Sequence, residues 1–188
     1  MPFEKNVFIN FPFDNKYKNL LRPLVFTLIY LGYTPKLSQT ISSSIVRVNT
    51  IKDLIKNCKY GIHDLSRSKP MKIGDLPRFN MPYELGLDIG ASAYGSGKLK
   101  SKKILILETE RYYYQKVIRD IAGQDIENHD DDPYTLITKV RNWFSLNSGS
   151  IKLAGQRNNE LHCQKRILIG WNGCLDHGHP AEPGIGQV

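Results

Sequence analysis

The chain has 188 residues, enough for one domain with a sizeable core and too few for two ordinary ones. A hydrophobic fraction of 40% against 23% charged residues is the balance of a folded, water-soluble protein and not of a disordered one. The net charge of +8 brings nucleic acid to mind, but the densest basic run, Lys98-Leu99-Lys100-Ser101-Lys102-Lys103, lacks the interleaved aromatics of a single-strand groove; it reads as a solvated loop, and the charge suits a phosphorylated small ligand better than a polymer.

Met1 to Lys5 contains no basic stretch leading into an apolar one, so nothing suggests export. Asn6 to Phe11 is a nearly continuous apolar run ended by Pro12, the pattern of a strand buried on both faces. From Asp14 the period becomes helical, with Leu20, Leu21, Leu24, Val25, Leu28 and Leu31 on one side and Gly32 as the stop. Pro23 requires this helix to begin near Asn19 or to kink. The longest apolar run, Leu24 to Leu31, is broken by Thr27 and falls well short of the roughly 18 residues that span a membrane. Tyr33 to Leu37 is a second strand. Ser42-Ser43-Ser44 forms a loop before a helix over Val46 to Asn57, with Val48, Ile51, Leu54 and Ile55 on one face. Cys58 reads as a small buried hydrophobe. With Cys163 and Cys174 it makes an odd set without a CxxC pair, so no disulfide framework is expected and a reducing, cytoplasmic setting fits.

Lys59 to Asp64 predicts a third strand that ends on a carboxylate. Residues 65–79 form an aperiodic loop, long for a compact domain, and such loops often serve as lids or binding loops. Asn80 with Pro82 opens a helix that runs through about Ala93 and is closed by Tyr94 to Gly97. Lys103 to Glu108 is the clearest strand in the chain. Glu110 to Arg119 is expected as a helix, Gly123 to Ile126 as an edge strand, and Pro133 to Phe144 as a last amphipathic helix on Leu136, Ile137, Val140 and Phe144. Strands alternating with helices at this spacing imply right-handed crossovers and a single doubly wound α/β domain over residues 1–146, with a mainly parallel sheet of about five strands. Beyond it, residues 147–188 lose the pattern and are expected to form a poorly ordered tail. His162, Cys163, Cys174, His177 and His179 are zinc-type ligands there, but their spacing matches no finger and no metal site is expected.

In such a sheet, ligands sit beyond the carboxyl ends of the strands. Three segments belong there: Asn10 to Asp14, Asp64 to Arg67, and Asn80 to Glu84. Backbone N–H groups at helix starts suit phosphates, while Asp64 and Glu84 suit ribose hydroxyls or a developing positive charge. Plainer roles stand beside these. Glu84 in a first helical turn would complement the helix dipole, a gain of about 0.3–1 kcal/mol. Asp64 would cap its own loop through Ser66 or Arg67. His63 inside a strand reads as a packed, hydrogen-bonded histidine. Arg47 and Arg78 either clamp phosphate or form surface ion pairs, and Tyr112-Tyr113-Tyr114 reads as helix-face packing.

Asp64-Leu65-Ser66 followed by Phe79-Asn80-Met81-Pro82-Tyr83-Glu84-Leu85-Gly86 resembles the signature of a superfamily that joins nucleoside 2-deoxyribosyltransferase-like proteins with bacterial TIR-like (Toll/interleukin receptor-like) nucleotide-binding domains. Val7-Phe8-Ile9-Asn10 with Asp14 is similar to the first strand and loop of the TIR-like branch, and the likeness spans about residues 6–144. It implies a flavodoxin-like fold acting at an N-glycosidic bond, with Glu84 matching the family's catalytic glutamate and Asp64 its strand-end acid. The loop from Ser66 to Phe79 is longer than is usual for the deoxyribosyltransferases, and no tail to complete a neighbour's site is evident, which favours the TIR-like branch. In bacteria that branch resembles antiviral defence proteins, many of which hydrolyse NAD. The expectation is therefore NAD as substrate, with no further cofactor. Its nicotinamide–ribose bond would be cleaved at Glu84, with Asn10, Phe11, Asp14, Ser44, Arg47 and Asn80 around the nucleotide and Phe11 or Phe13 stacked on a ring. A homo-oligomer or a partner defence protein is also implied. A binding module without turnover and a deoxyribosyltransferase-like enzyme remain the alternatives.

Overall fold

All five residues of Asn6–Asn10 (β1) are buried, as a run without polar alternation requires, and the strand has neighbours on both sides. The structure, a computed structural model, describes residues 2–12, 14, 15, 17–37, 44–67, 74, 76–116, 118–121 and 126–148, the side chains of 44–46 excepted. Phe13, the Ser44 side chain, and the expected tail from residue 149 on with its zinc-type ligands thus lie outside the described residues, while Asn147 and Ser148, also assigned to that tail, close α4. Thr34–Leu37 (β2), Tyr60–Asp64 (β3), Lys103–Glu108 (β4) and Ile126–Asn128 (β5) complete a sheet of order β2-β1-β3-β4-β5, parallel throughout. Among the described residues four helices cover it: Lys18–Tyr30 (α1), Ser44–Asn57 (α2), Asn80–Tyr94 (α3) and Pro133–Asn147 (α4). This is the doubly wound, flavodoxin-like α/β fold.

Side-chain alternation along the strands divides the core in two. Val7, Ile9, Tyr60, Ile62, Leu105 and Leu107 point to one face, where they pack with Leu20, Leu24 and Leu28 of α1 and Leu136, Val140 and Phe144 of α4. Phe8 points to the other face, against Ile51 and Ile55 of α2, while Ile106 meets Met81 and Leu85 of α3. The α2–α3 face is the one that matters below, because its strand residues near the carboxyl edge are polar.

Local differences from the expected elements have physical causes. α1 begins at Lys18, so Pro23 lies early in the helix, where its missing N–H leaves a single carbonyl, that of Asn19, without its usual donor. The helix expected over Glu110 to Arg119 is absent; short 3-10 turns at Tyr113–Lys116 and Arg119–Ile121 replace it. Glu108 draws the chain around itself, its carboxylate accepting from the backbone N–H groups of Tyr112 at 2.7 Å and Tyr114 at 3.1 Å, with Tyr112 in the left-handed region at φ 67°. That geometry is incompatible with a continuous helix from residue 110. α4 starts as its sequence prescribes, with the Asp132 carboxylate capping Thr135 N at 2.7 Å and Pro133 in the first turn. No helix among the described residues is long and apolar enough to cross a membrane.

Candidate functional site

α3 turns Met81, Glu84, Leu85 and Asp88 inward, the stripe that a 3.6-residue period produces. Two of those four are acids, and their surroundings differ. Asp88 is paired: its carboxylate lies 2.9 Å from His63 Nε2 and 2.9 Å from Lys102 Nζ, with all three side chains sealed from water. Burial alone would raise the Asp88 pKa, but the hydrogen bond from His63 and the charge and hydrogen bond of Lys102 hold it below its ordinary value. Lys102 also donates to the carbonyls of Ile55, at 3.0 Å, and Cys58, so one ammonium closes the carboxyl end of α2 and neutralises Asp88. The run 98–103 is thus not wholly a solvated loop. Lys98, Lys100 and Lys103 are exposed while Lys102 is buried.

Glu84 lacks such pairing. It is 2% exposed, and its Oε2 accepts no hydrogen bond. Burial pushes its pKa up to about 7, with the Arg47 guanidinium on α2 the opposing influence. Arg47, on the neighbouring α2, is thus near enough for its charge to act on Glu84. The dipole-complement role does not apply, because Glu84 is the fifth residue of α3, whose first turn holds no acid.

Asn10, the last residue of β1, points to the same face and is 1% exposed. Its Nδ2 donates to the carbonyl of Met81 at 2.9 Å, one turn before Glu84, and lies 3.1 Å from His63 Nδ1. Asn10 Oδ1, like Glu84 Oε2, is buried without a partner. A polar chain therefore runs under α3 from Asn10 through His63 and Asp88 to Lys102, with two unused acceptors where β1 meets the helix. His63 is the packed, hydrogen-bonded histidine the strand pattern suggested, and it is also the middle of this chain.

Asp64 lies on the opposite face. One residue beyond His63, its side chain turns toward α1 and α4, where the Tyr17 hydroxyl, the Ser66 hydroxyl, Ser66 N at 2.8 Å and His129 Nε2 at 3.0 Å surround the carboxylate. Burial alone would raise its pKa, yet His129, Ser66 and Tyr17 together hold it below the usual carboxylate range. Burial would likewise lower His129, but the hydrogen bond and charge of Asp64 keep it above its ordinary value. The Tyr17 hydroxyl, raised well above its ordinary value by burial and by Asp64, stays a proton donor. Asp64 does hold Ser66, as the capping role foresaw, and it also ties the start of α1 to the chain entering α4. Its acceptor positions are filled from within the protein.

The remaining expected contacts are dispersed. Phe11 is 2% exposed, and its ring stacks on Tyr17 at 5.7 Å between centroids, so that ring is a core element and not a stacking face for a ligand. Asp14 accepts from Tyr17 N at 2.9 Å and pairs with Arg67 Nε at 3.2 Å, closing the loop after β1. Asn80 is exposed at the first position of α3, and Ser44 opens α2. Glu108 is a further buried acid at the carboxyl edge; burial raises its pKa against the opposing N–H groups of Tyr114, Tyr112 and Tyr113. Among the described residues no group of three or more His, Cys, Asp or Glu is arranged to hold a metal ion. An open groove of about 640 Å³ between the β4–β5 edge and α4, lined by Lys103, Arg111, Asn128, Lys139 and Trp143, includes neither Asn10 nor Glu84.

Sequence reasoning did not reach Tyr17, Asp88, Lys102 or His129. For Asp88 a signal was present, since it follows Glu84 by four residues on a face otherwise made of Met81 and Leu85. No protein-family model matches the chain, and no curated protein does either.

Proposed function

We propose that this chain is a TIR-like nucleotide-binding protein that hydrolyses the nicotinamide–ribose bond of NAD at Glu84. The observation that carries the reading is a carboxyl group kept from water with an unused oxygen, at the carboxyl edge of a parallel sheet and beside an arginine. A buried acceptor without a partner is a standing cost to the fold, and one at this location suits a ligand that supplies the missing donor. The resemblance around Asn80 to Gly86 supports the choice of NAD and a role in bacterial defence, with activity in a homo-oligomer or beside a partner protein.

The chemistry asks little of the protein beyond electrostatics. As the C–N bond breaks, its electron pair goes to the nicotinamide nitrogen, which loses its positive charge and needs no acid. Positive charge grows on the ribose, where the Glu84 carboxylate stabilises it. Water then adds to the anomeric carbon and gives its proton to Glu84. Arg47 serves the diphosphate. Because the working form of Glu84 is ionised, turnover is expected to rise with pH through about 7. Incubation of concentrated protein with NAD and product identification tests the reading. Glu84→Ala is expected to lose roughly a hundredfold or more in rate, and unchanged turnover in that variant would sink the mechanism.

A second reading has its own support. Asp64, the other acid expected to act, is saturated by four internal donors, which suits a protein that holds a nucleotide without cleaving it. Calorimetric binding of NAD with no product after hours would favour that reading.

A further inference from the structure

We infer that Asn10 is a second ligand-binding residue, its side-chain oxygen acting with the Glu84 carboxylate to hold two ribose hydroxyls, so that the site distinguishes a ribose from a 2-deoxyribose. The inference rests on the nucleotide-binding reading and adds a sugar specificity to it. Its basis is the hydrogen-bond arithmetic of one amide. Asn10 Nδ2 has two hydrogens, and two acceptors claim them: the Met81 carbonyl at 2.9 Å and His63 Nδ1 at 3.1 Å. A flipped amide would set an oxygen against the Met81 carbonyl, which has no proton to give. Oδ1 is therefore fixed in direction, and it is buried without a partner.

The ring of His63 sets the same orientation from behind. For Nδ1 to accept, its proton must sit on Nε2, and that proton goes to Asp88 Oδ2 at 2.9 Å. Lys102 holds Asp88 from the far side at 2.9 Å. His63, Asp88 and Lys102 are thus positioning residues for Asn10, while Asn10 and Glu84 are the groups that meet the ligand. Both unused atoms are acceptors, so the complementary ligand offers two donors. A pair of sugar hydroxyls does so, whereas a 2-deoxy sugar leaves one acceptor buried and unpaired.

Carba-NAD, in which a cyclopentane replaces the nicotinamide ribose, has no glycosidic bond to break. Calorimetry with carba-NAD and with its counterpart lacking the cyclopentane 2′-hydroxyl reads the preference as a ratio of affinities. The wild type is expected to favour the dihydroxy form by about tenfold or more, and Asn10→Leu to bring the ratio within about twofold. His63→Leu should collapse the ratio in the same way. His63→Gln, whose side-chain oxygen accepts from Asn10, should restore it, a rescue that a purely structural role would not produce. Should Asn10→Leu fail to fold, the wild-type ratio and the His63 pair decide. Equal binding of the two compounds by the wild type, or an undiminished ratio in folded Asn10→Leu, overturns the inference and leaves nucleotide binding intact. Failure of the wild type to bind either compound overturns both.

Discussion

Two buried acids in this protein respond to pH in opposite senses, and the difference separates the group proposed to act on a ligand from one bound into the architecture. Glu84 has a folded-state pKa of about 7 against an ordinary 4.5, so the native state retains a proton that the unfolded chain has released. Its contribution to stability is fully present below the unfolded value and is lost as pH climbs through 7, where an ionised carboxylate has to be kept away from water. Asp64 has a depressed pKa, and its contribution is present above the unfolded value and lost as pH falls through the folded one. Glu84→Gln is therefore expected to stabilise the protein by about 1–3 kcal/mol at pH 8, with the gain largely gone by about pH 5, as urea melts at the two pH values would show. A loss of stability at pH 8 would mean that the ionised group makes native contacts worth keeping. Stability gained where activity disappears is the usual mark of a residue retained for its chemistry.

At the scale of elements, β3 is the piece on which both faces depend. Its alternation sends His63 to the Asn10 chain and Asp64 to the Tyr17 and His129 cluster. Gly61 belongs to this device: a Cβ there would collide with Asp88 Oδ2 and press on His63 Nε2. Gly61→Ala is expected to separate the His63–Asp88 pair and to cost about 3 kcal/mol, measurable by chemical denaturation, because a buried charge is left poorly compensated. An effect below about 0.5 kcal/mol would show that Asp88 relaxes freely. The strands and the long helices were legible in the sequence because their signals are local: the continuous apolar runs of β1 and β4, and the helical period of α1 and α4. The helix expected at Glu110 was not, since Glu108 captures backbone N–H groups four and six residues ahead and overrides the propensity of the segment. Glu84 was legible as a candidate, but its partners were not. Tyr17 and His129 reach Asp64 across 47 and 65 residues, and no periodicity within one element records such a meeting.

Across the whole molecule, the described residues of the α1–α4 core run from Val7 to Phe144, and the described chain ends at Ser148, the residue after α4. A chain ended after Ser148 is accordingly expected to melt in one cooperative step, with a midpoint within a few degrees of the full chain by circular dichroism. A broad or absent transition would assign a packing role to residues 149–188. The sheet order carries a further consequence, for synthesis. β1 is synthesised before the other four strands of this sheet, and its two neighbours arrive only at residues 37 and 64. Until then Val7, Phe8 and Ile9, each destined to be fully buried, travel on the nascent chain with no sheet to enter. The strand that supplies Asn10 is thus open to capture by a holding chaperone well before translation reaches the helix that carries Glu84.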